Sequence, residues 1–311
     1  LARYIVSADN HLRYDPPVCR LDEDWLAFQR KALCDIVDLA NTYEADLVIA
    51  GDLFDAYLVH TQIISLFIEA VSPLIGVCHI IGGNHALKYH REALAFESSI
   101  GVIKAIAGDN TGKIRYYPCT EENIGGRFEH SYVLNEDVTL VHTLVFPDDD
   151  AIPFACKGVT ADYLFDKYDT QWIFTGDMHH NFVATRDERH VINPGCMTIQ
   201  VADELDYTPG VYYIDTGNKI DVRTLKDKKP VYRTTKSEIK FIPIHNDPTM
   251  LTRNHLDKNK ERDDRLSAFV VTIVTGKELH LSFKANLDTA YASVKATPMM
   301  DTIKLELEQR R

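Results

Sequence analysis

Five short polar clusters in this 311-residue chain carry the residue types that hold metal ions and move protons. They are Asp9-Asn10-His11, Gly51-Asp52-Leu53-Phe54-Asp55, Gly82-Gly83-Asn84-His85, His142, and Gly176-Asp177-Met178-His179. Their donors are oxygens and nitrogens without a thiolate, a set that suits manganese, iron or zinc better than a structural cysteine site. A carboxylate and an imidazole two residues apart, as at Asp9 and His11, can turn to one side at a strand end and share a cation. Taken singly, each cluster is ordinary: an Asp-x-His arises often by chance, and a glycine before Asp52, Asn84 or Asp177 fits a tight turn. Their order, each behind an apolar run, is the signal.

Those runs read as strands. Arg3–Ala8, Asp46–Ala50, Val77–Ile81, Thr139–His142 and Trp172–Thr175 are short, rich in β-branched or aromatic residues, and closed by polar groups. Between the first three lie Asp24–Tyr43 and His60–Val71, with apolar residues at helical spacing, and Arg91–Ala107 reads as a further helix. Further strands fit Ile114–Tyr117, Ser131–Leu134, His190–Ile192 and Gly210–Asp215. Strands alternating with helices predict a layered α/β fold. Such sheets place ligands beyond the carboxyl ends of their strands, so the five clusters are expected to converge on one crevice.

Composition narrows the class. Hydrophobic residues make up 45% of the chain, enough for a sizeable core, and no stretch approaches the roughly 20 apolar residues of a membrane span. The apolar part of Leu1–Val6 is too short for a signal peptide and reads as a strand, so a soluble, cytoplasmic protein is expected. The six cysteines show no CxxC spacing, which argues for reduced, buried thiols. The formal net charge of −12 is unusual for a protein that grips phosphates. Any phosphate binding therefore calls for a metal cluster, a local basic patch or a partner.

The series D-x-H, G-D-x-x-D, G-N-H, H, G-x-x-H resembles the calcineurin-like metallophosphoesterase superfamily over about residues 1–225. The GDLFD form, the long helix before Asp46 and the Asn193-Pro194-Gly195 turn resemble its SbcD-type DNA exonuclease subunits, the nuclease halves of SbcC–SbcD repair complexes and their phage versions. The resemblance implies a four-layer α/β sandwich of two mixed sheets flanked by helices, with a nuclease domain over 1–228 and a small α+β capping module over 231–311. It implies two divalent ions, manganese foremost with magnesium, iron or zinc as alternatives, bridged by Asp52. Asp9, His11 and His179 would complete one metal site; Asn84, His142 and Asp177 would belong to the other. His85 would help protonate the leaving oxygen, and Asp55 would act beside the metals. The implied partners are DNA, an SbcC-type ATPase and a second copy of the chain, in the cytoplasm (the host's if phage-encoded). The same fold also serves phosphomonoesterases, cyclic-nucleotide phosphodiesterases and phosphoprotein phosphatases, and a non-catalytic metal-binding scaffold is a third reading.

Two positions depart from the pattern. Ala86 follows His85 where the family has aspartate, which predicts retained metal binding with depressed turnover and suggests an inactivating change. Asp177 stands where the family has histidine; a carboxylate still suits a hard divalent ion, with the adjacent His180 as the alternative ligand. Arg13, Tyr14, Lys88 and His90 flank the clusters and could touch a phosphate backbone.

Overall fold

A computed structural model describes residues 2–254, 256 and 267, apart from 109–111, 125–126, 154–156, 202–203, 205–206, 218, 224–229 and 235. The chain divides into compact units Leu1–Leu251 and Thr252–Arg311, and every element named below belongs to the first. In order these are β1 (Arg3–Ser7), α1 (Trp25–Thr42), β2 (Asp46–Ile49), α2 (Thr61–Val71), β3 (Cys78–Ile81), α3 (Ile100–Ala107) and β4 (Ile114–Tyr117). Next come β5 (Thr120–Ile124), β6 (Arg127–Val133), β7 (Val138–His142), the two-residue β8 (Val145–Phe146) and β9 (Val159–Thr160), and α4 (Ala161–Lys167). The series closes with β10 (Trp172–Gly176), β11 (Phe182–Arg186), β12 (Arg189–Asn193), β13 (Gly210–Asp215), β14 (Lys219–Arg223), β15 (Pro230–Thr234) and β16 (Glu238–Pro243).

Two six-stranded mixed sheets result, ordered β16-β13-β1-β2-β3-β4 and β11-β12-β10-β7-β6-β5. β1 through β4 are parallel in the first, as are β7, β10 and β12 in the second. Alternation along each strand sends successive side chains to opposite faces, so Ile5, Leu47 and Ile49 pack under α1, α2 and α3. Val6 and Val48 face the other way and meet Leu140, Trp172 and Phe174 of the second sheet. The outer face of that sheet offers Val141, Ile173 and Val191 to Leu164 and Phe165 of α4. Three apolar layers between four structural layers make the α/β/β/α sandwich that the resemblance implied.

α1 shows why the sequence folds this way locally. The Asp24 carboxylate caps it by accepting from the Ala27 amide. Its buried positions Trp25, Gln29, Ala32, Leu33, Ile36, Val37 and Ala40 form one stripe at helical spacing. The helix expected over Arg91–Ala107 is instead a 3₁₀ turn (Glu92–Glu97) followed by α3. Ser98 and Ser99 part them, their hydroxyls accepting from the backbone amides of Lys88 and Val59. Ile239–Ile244, read from sequence as part of the second segment, overlaps β16, the edge strand of the first sheet. The other elements expected of the capping module, a helix over Leu251–Arg265, strands at Ala268–Val274 and Leu279–Phe283 and a helix at Thr302–Arg311, lie almost entirely outside the described residues. Among the described residues no helix is long and apolar enough to cross a membrane.

Candidate metal centre

The loops after β1, β2 and β3 leave the same end of the first sheet, and β7 and β10 end at the same rim of the second. At that rim the backbone is strained. Asp9, His11, Asp52 and Asp177 all adopt left-handed φ values, of 46°, 43°, 44° and 86°. For residues with a Cβ this costs on the order of 1–3 kcal/mol each, and such strain concentrates at functional sites. The strain is held by hydrogen bonds from the His11 and Leu12 amides to the Asp52 and Leu53 carbonyls, both 3.0 Å. Gly51 (φ +99°) has no alternative, because a Cβ there would lie 2.1 Å from His142 Nδ1.

Two groups of ligand atoms converge. Asp9, His11 and His179 form the first, and Asp9, Asp52 and His142 the second; within each, one atom per residue lies within 4.8 Å of the others. Asp52 also groups with His11 and His85, which sets it between the two. In the first group, His11 Nε2 and His179 Nε2 are 3.2 Å apart. The opposite nitrogen of His179 is held by the Glu204 carboxylate. Glu204 is buried and had no signal in the sequence; only its position after the Asn193-Pro194-Gly195 turn could have drawn notice.

The second group makes the clearest case for a cation. His142 Nδ1 lies 2.9 Å from the Ala50 carbonyl, which can only accept, so that nitrogen carries the proton. In the neutral ring the Nε2 lone pair then faces two oxygens, Asp52 Oδ2 and Asn84 Oδ1, each at 3.2 Å. Asp52 Oδ2 is buried and has no hydrogen-bond partner despite that close approach. Three electron-rich atoms this close need a positive charge among them. Without a metal the ring itself must supply it: burial opposes the imidazolium, but the Asp52, Asp9 and Asp177 carboxylates outweigh burial and push His142 up to about 10. Burial likewise pushes Asp9 up to about 7 and His11 down to about 3. His179, only partly buried, is driven up to about 9 by Glu204 and Asp9 against the desolvation that opposes its charge. Buried oxygen and nitrogen ligands that strain toward positive charge fit two divalent cations.

The remaining sequence-derived residues fall into place around these groups. His85 is exposed; its Nδ1 donates to the Asp55 carbonyl (2.9 Å) and its ring meets that of His11 edge-on at 4.8 Å. Asp55 braces the neighbourhood, with Oδ1 3.5 Å from His11 Nδ1 and Oδ2 3.2 Å from Arg13 Nη1. Asp177 belongs to neither group: Asn84 Nδ2 donates to its Oδ1 (3.1 Å) and Arg127 Nη1 to its Oδ2 (3.2 Å). His180 is exposed and packs edge-on against Tyr207. Lys88 is paired with Glu97, and His90 donates to the Asn84 carbonyl. Ala86 is fully buried in the apolar layer under the helices, its amide donating to Asp52 Oδ1 at 3.3 Å. The Asp55 carbonyl thus fixes which His85 nitrogen carries the proton.

No protein-family model and no curated protein matches this sequence. Among solved structures the chain is similar to an archaeal phosphodiesterase, at 11% identity and a TM-score of 0.37, over 75% of this chain and 99% of that one. It is similar to zinc-complexed Vps29 from Entamoeba histolytica, at 11% identity and a TM-score of 0.32, over 78% and 98%. A predicted phosphoesterase from Streptococcus pneumoniae is similar at 13% identity and a TM-score of 0.31, over 78% and 98%.

Proposed function

We propose that this protein is a two-metal phosphodiesterase, with DNA as its substrate class. The observation that carries the reading is the pair of buried ligand groups around Asp52, whose unpartnered Oδ2 and facing His142 lone pair call for a cation. Bound there, two divalent ions neutralise a phosphate and lower the pKa of water toward neutrality, which makes hydroxide available. Asp9, His11 and His179 would hold one ion, and Asp52, Asn84 and His142 the other.

His85 is free to serve the leaving group. With its Nδ1 proton committed to the Asp55 carbonyl, Nε2 is the nitrogen left to face the departing oxygen, and it delivers a proton only from the doubly protonated imidazolium, which returns to the neutral Nδ1–H ring. A DNA sugar oxygen is strongly basic, and such an acid contributes about 10²–10⁴ in rate. The polynucleotide reading draws on the motif resemblance and on the approach to the site. A cavity of about 320 Å³ opens beside Asp55, lined by Arg13, Tyr14, Leu58 and His60 among others. Tyr14 is half-exposed with its ring 4.7 Å from that of His60, a surface on which a base can stack. An SbcC-type ATPase partner belongs to the same proposal.

Labelled linear double- and single-stranded DNA incubated with manganese tests the reading. Release of nucleotides that stops in the Asp52→Asn variant is the expected result. If DNA stays intact while bis-p-nitrophenyl phosphate is hydrolysed, the phosphoesterase stands and the substrate class is wrong. If neither is cut although manganese binds, the non-catalytic scaffold replaces both.

A further inference from the structure

We infer that Asp177 is a positioning residue, not a metal ligand: its side chain aims the Asn84 amide and its backbone aims the Asp9 carboxylate. The inference rests on the two-cation reading above. It begins with an orientation that hydrogen bonding fixes. Asn84 has one side facing the Asp177 carboxylate at 3.1 Å and the other facing His142 Nε2 at 3.2 Å. Only an amide NH₂ can donate to a carboxylate, so the Asn84 oxygen must point into the gap shared with His142 and Asp52. With the amide reversed, oxygen would face oxygen at the carboxylate, and the gap would lose an acceptor. Asp177 thus decides which end of Asn84 a cation meets.

The backbone of residue 177 acts on a second ligand. Its amide donates to both oxygens of Asp9, at 3.1 and 2.9 Å, and it reaches them through the left-handed turn at φ 86°. Asp9 is fully buried and belongs to both ligand groups, so this amide helps set where its carboxylate points. The other oxygen of Asp177 is taken by Arg127, whose guanidinium meets the remaining charge. A carboxylate held by an amide on one side and a guanidinium on the other keeps its charge local. The ligand set of the second cation is then Asp52, Asn84 and His142 from the protein, with Asp177 behind it.

Calorimetric titration of the metal-free chain with Mn²⁺ tests this without any turnover. Wild type is expected to take up two ions. Asp177→Ala should still take up two, with the weaker site lowered about 10–100-fold, the usual loss when a ligand's support is removed. Asp177→Asn should recover most of that loss, because its amide oxygen can still accept from Asn84. Arg127→Ala should not tighten binding, whereas a ligand freed from a competing guanidinium would bind more tightly. Circular dichroism confirms that each variant is folded. Uptake of one ion by Asp177→Ala, or equal damage from Asn and Ala, overturns the inference alone. Wild type taking up fewer than two ions ends the two-cation reading and the inference with it.

Discussion

The two ends of the first sheet carry the same residue types to opposite effect. At the amino ends of β2 and β3, His79 Nε2 donates to Asp46 Oδ2 (3.2 Å), and its Nδ1 accepts from the Tyr117 hydroxyl (2.9 Å). Asp46 Oδ1 accepts the Val77 amide at 2.8 Å. None of these side-chain atoms is buried without a partner, and His79, Asp46 and Tyr117 all have ordinary φ values. At the carboxyl ends, Asp52 faces His142 of the second sheet at 3.2 Å; both side chains are almost fully buried, whereas that of Asp46 is 37% exposed, and the loops at this rim carry four left-handed residues with side chains. An aspartate–histidine contact is therefore no mark of chemistry in itself. What separates the working end is the missing positive charge and the strained backbone that keeps the gap open.

That contrast can be broken by experiment. The largest effect is expected from Asp52→Asn, which should abolish manganese uptake and reduce hydrolysis to background, followed by titration and a phosphodiesterase assay. His85→Ala should lower turnover by about 10²–10⁴ and leave manganese uptake intact, which separates proton delivery from ion binding. At 100 times its dissociation constant, a bound ion should stabilise the fold by about 2.7 kcal/mol, read as a rise in melting temperature that chelator reverses. The Asp52→Asn variant should show no such rise.

Proton release offers a finer probe. Because His142 is pushed up to about 10 in the metal-free protein, it is charged at pH 8 and must lose its proton when an ion takes its place. His179, driven up to about 9, must release a proton as well, so titrations in buffers of different ionisation enthalpy should reveal about two protons leaving; none would mean that neither ring is a ligand. The smallest effect belongs to the quiet end. His79→Ala should cost about 1–3 kcal/mol of stability by orphaning Asp46 and Tyr117, with manganese affinity unchanged. A change in manganese affinity there would erase the distinction between the two ends.

Much of this was legible in the sequence because the informative residues follow strands whose patterns are strong. Arg3–Ala8 and Asp46–Ala50 are apolar at their centres, Val77–Ile81 is apolar but for His79, and the polar group that follows each is the one that reaches the rim. What escaped notice has a physical cause in each case. β11 reads Phe-Val-Ala-Thr-Arg, apolar residues followed by polar ones, so no alternation stands out in the sequence, and α4, at seven residues, is too short for a periodic stripe. Glu204 and Arg127 reach the site through His179 and Asp177, which are distant from them in sequence. The motif position points to Asp177 as a ligand, whereas its hydrogen-bond partners, which spacing does not encode, carry the proposal that it is a support. Ala86, where the motif suggests an inactivating change, is fully buried in the core cluster, so Ala86→Asp would place a carboxylate in the apolar layer.

The apolar layer between the two sheets has a bearing on ion choice. Asp9, His11, Asp52 and Asn84 hang from the first sheet, while His142 and His179 hang from the second, so each group of ligands spans the seam. The distance across a cation is then set by how thickly Tyr4, Trp172 and Phe174 pad that seam. A side chain trimmed far from the rim would act like a turn of a calliper, and the preference among ions of different radius could drift without a single ligand being altered.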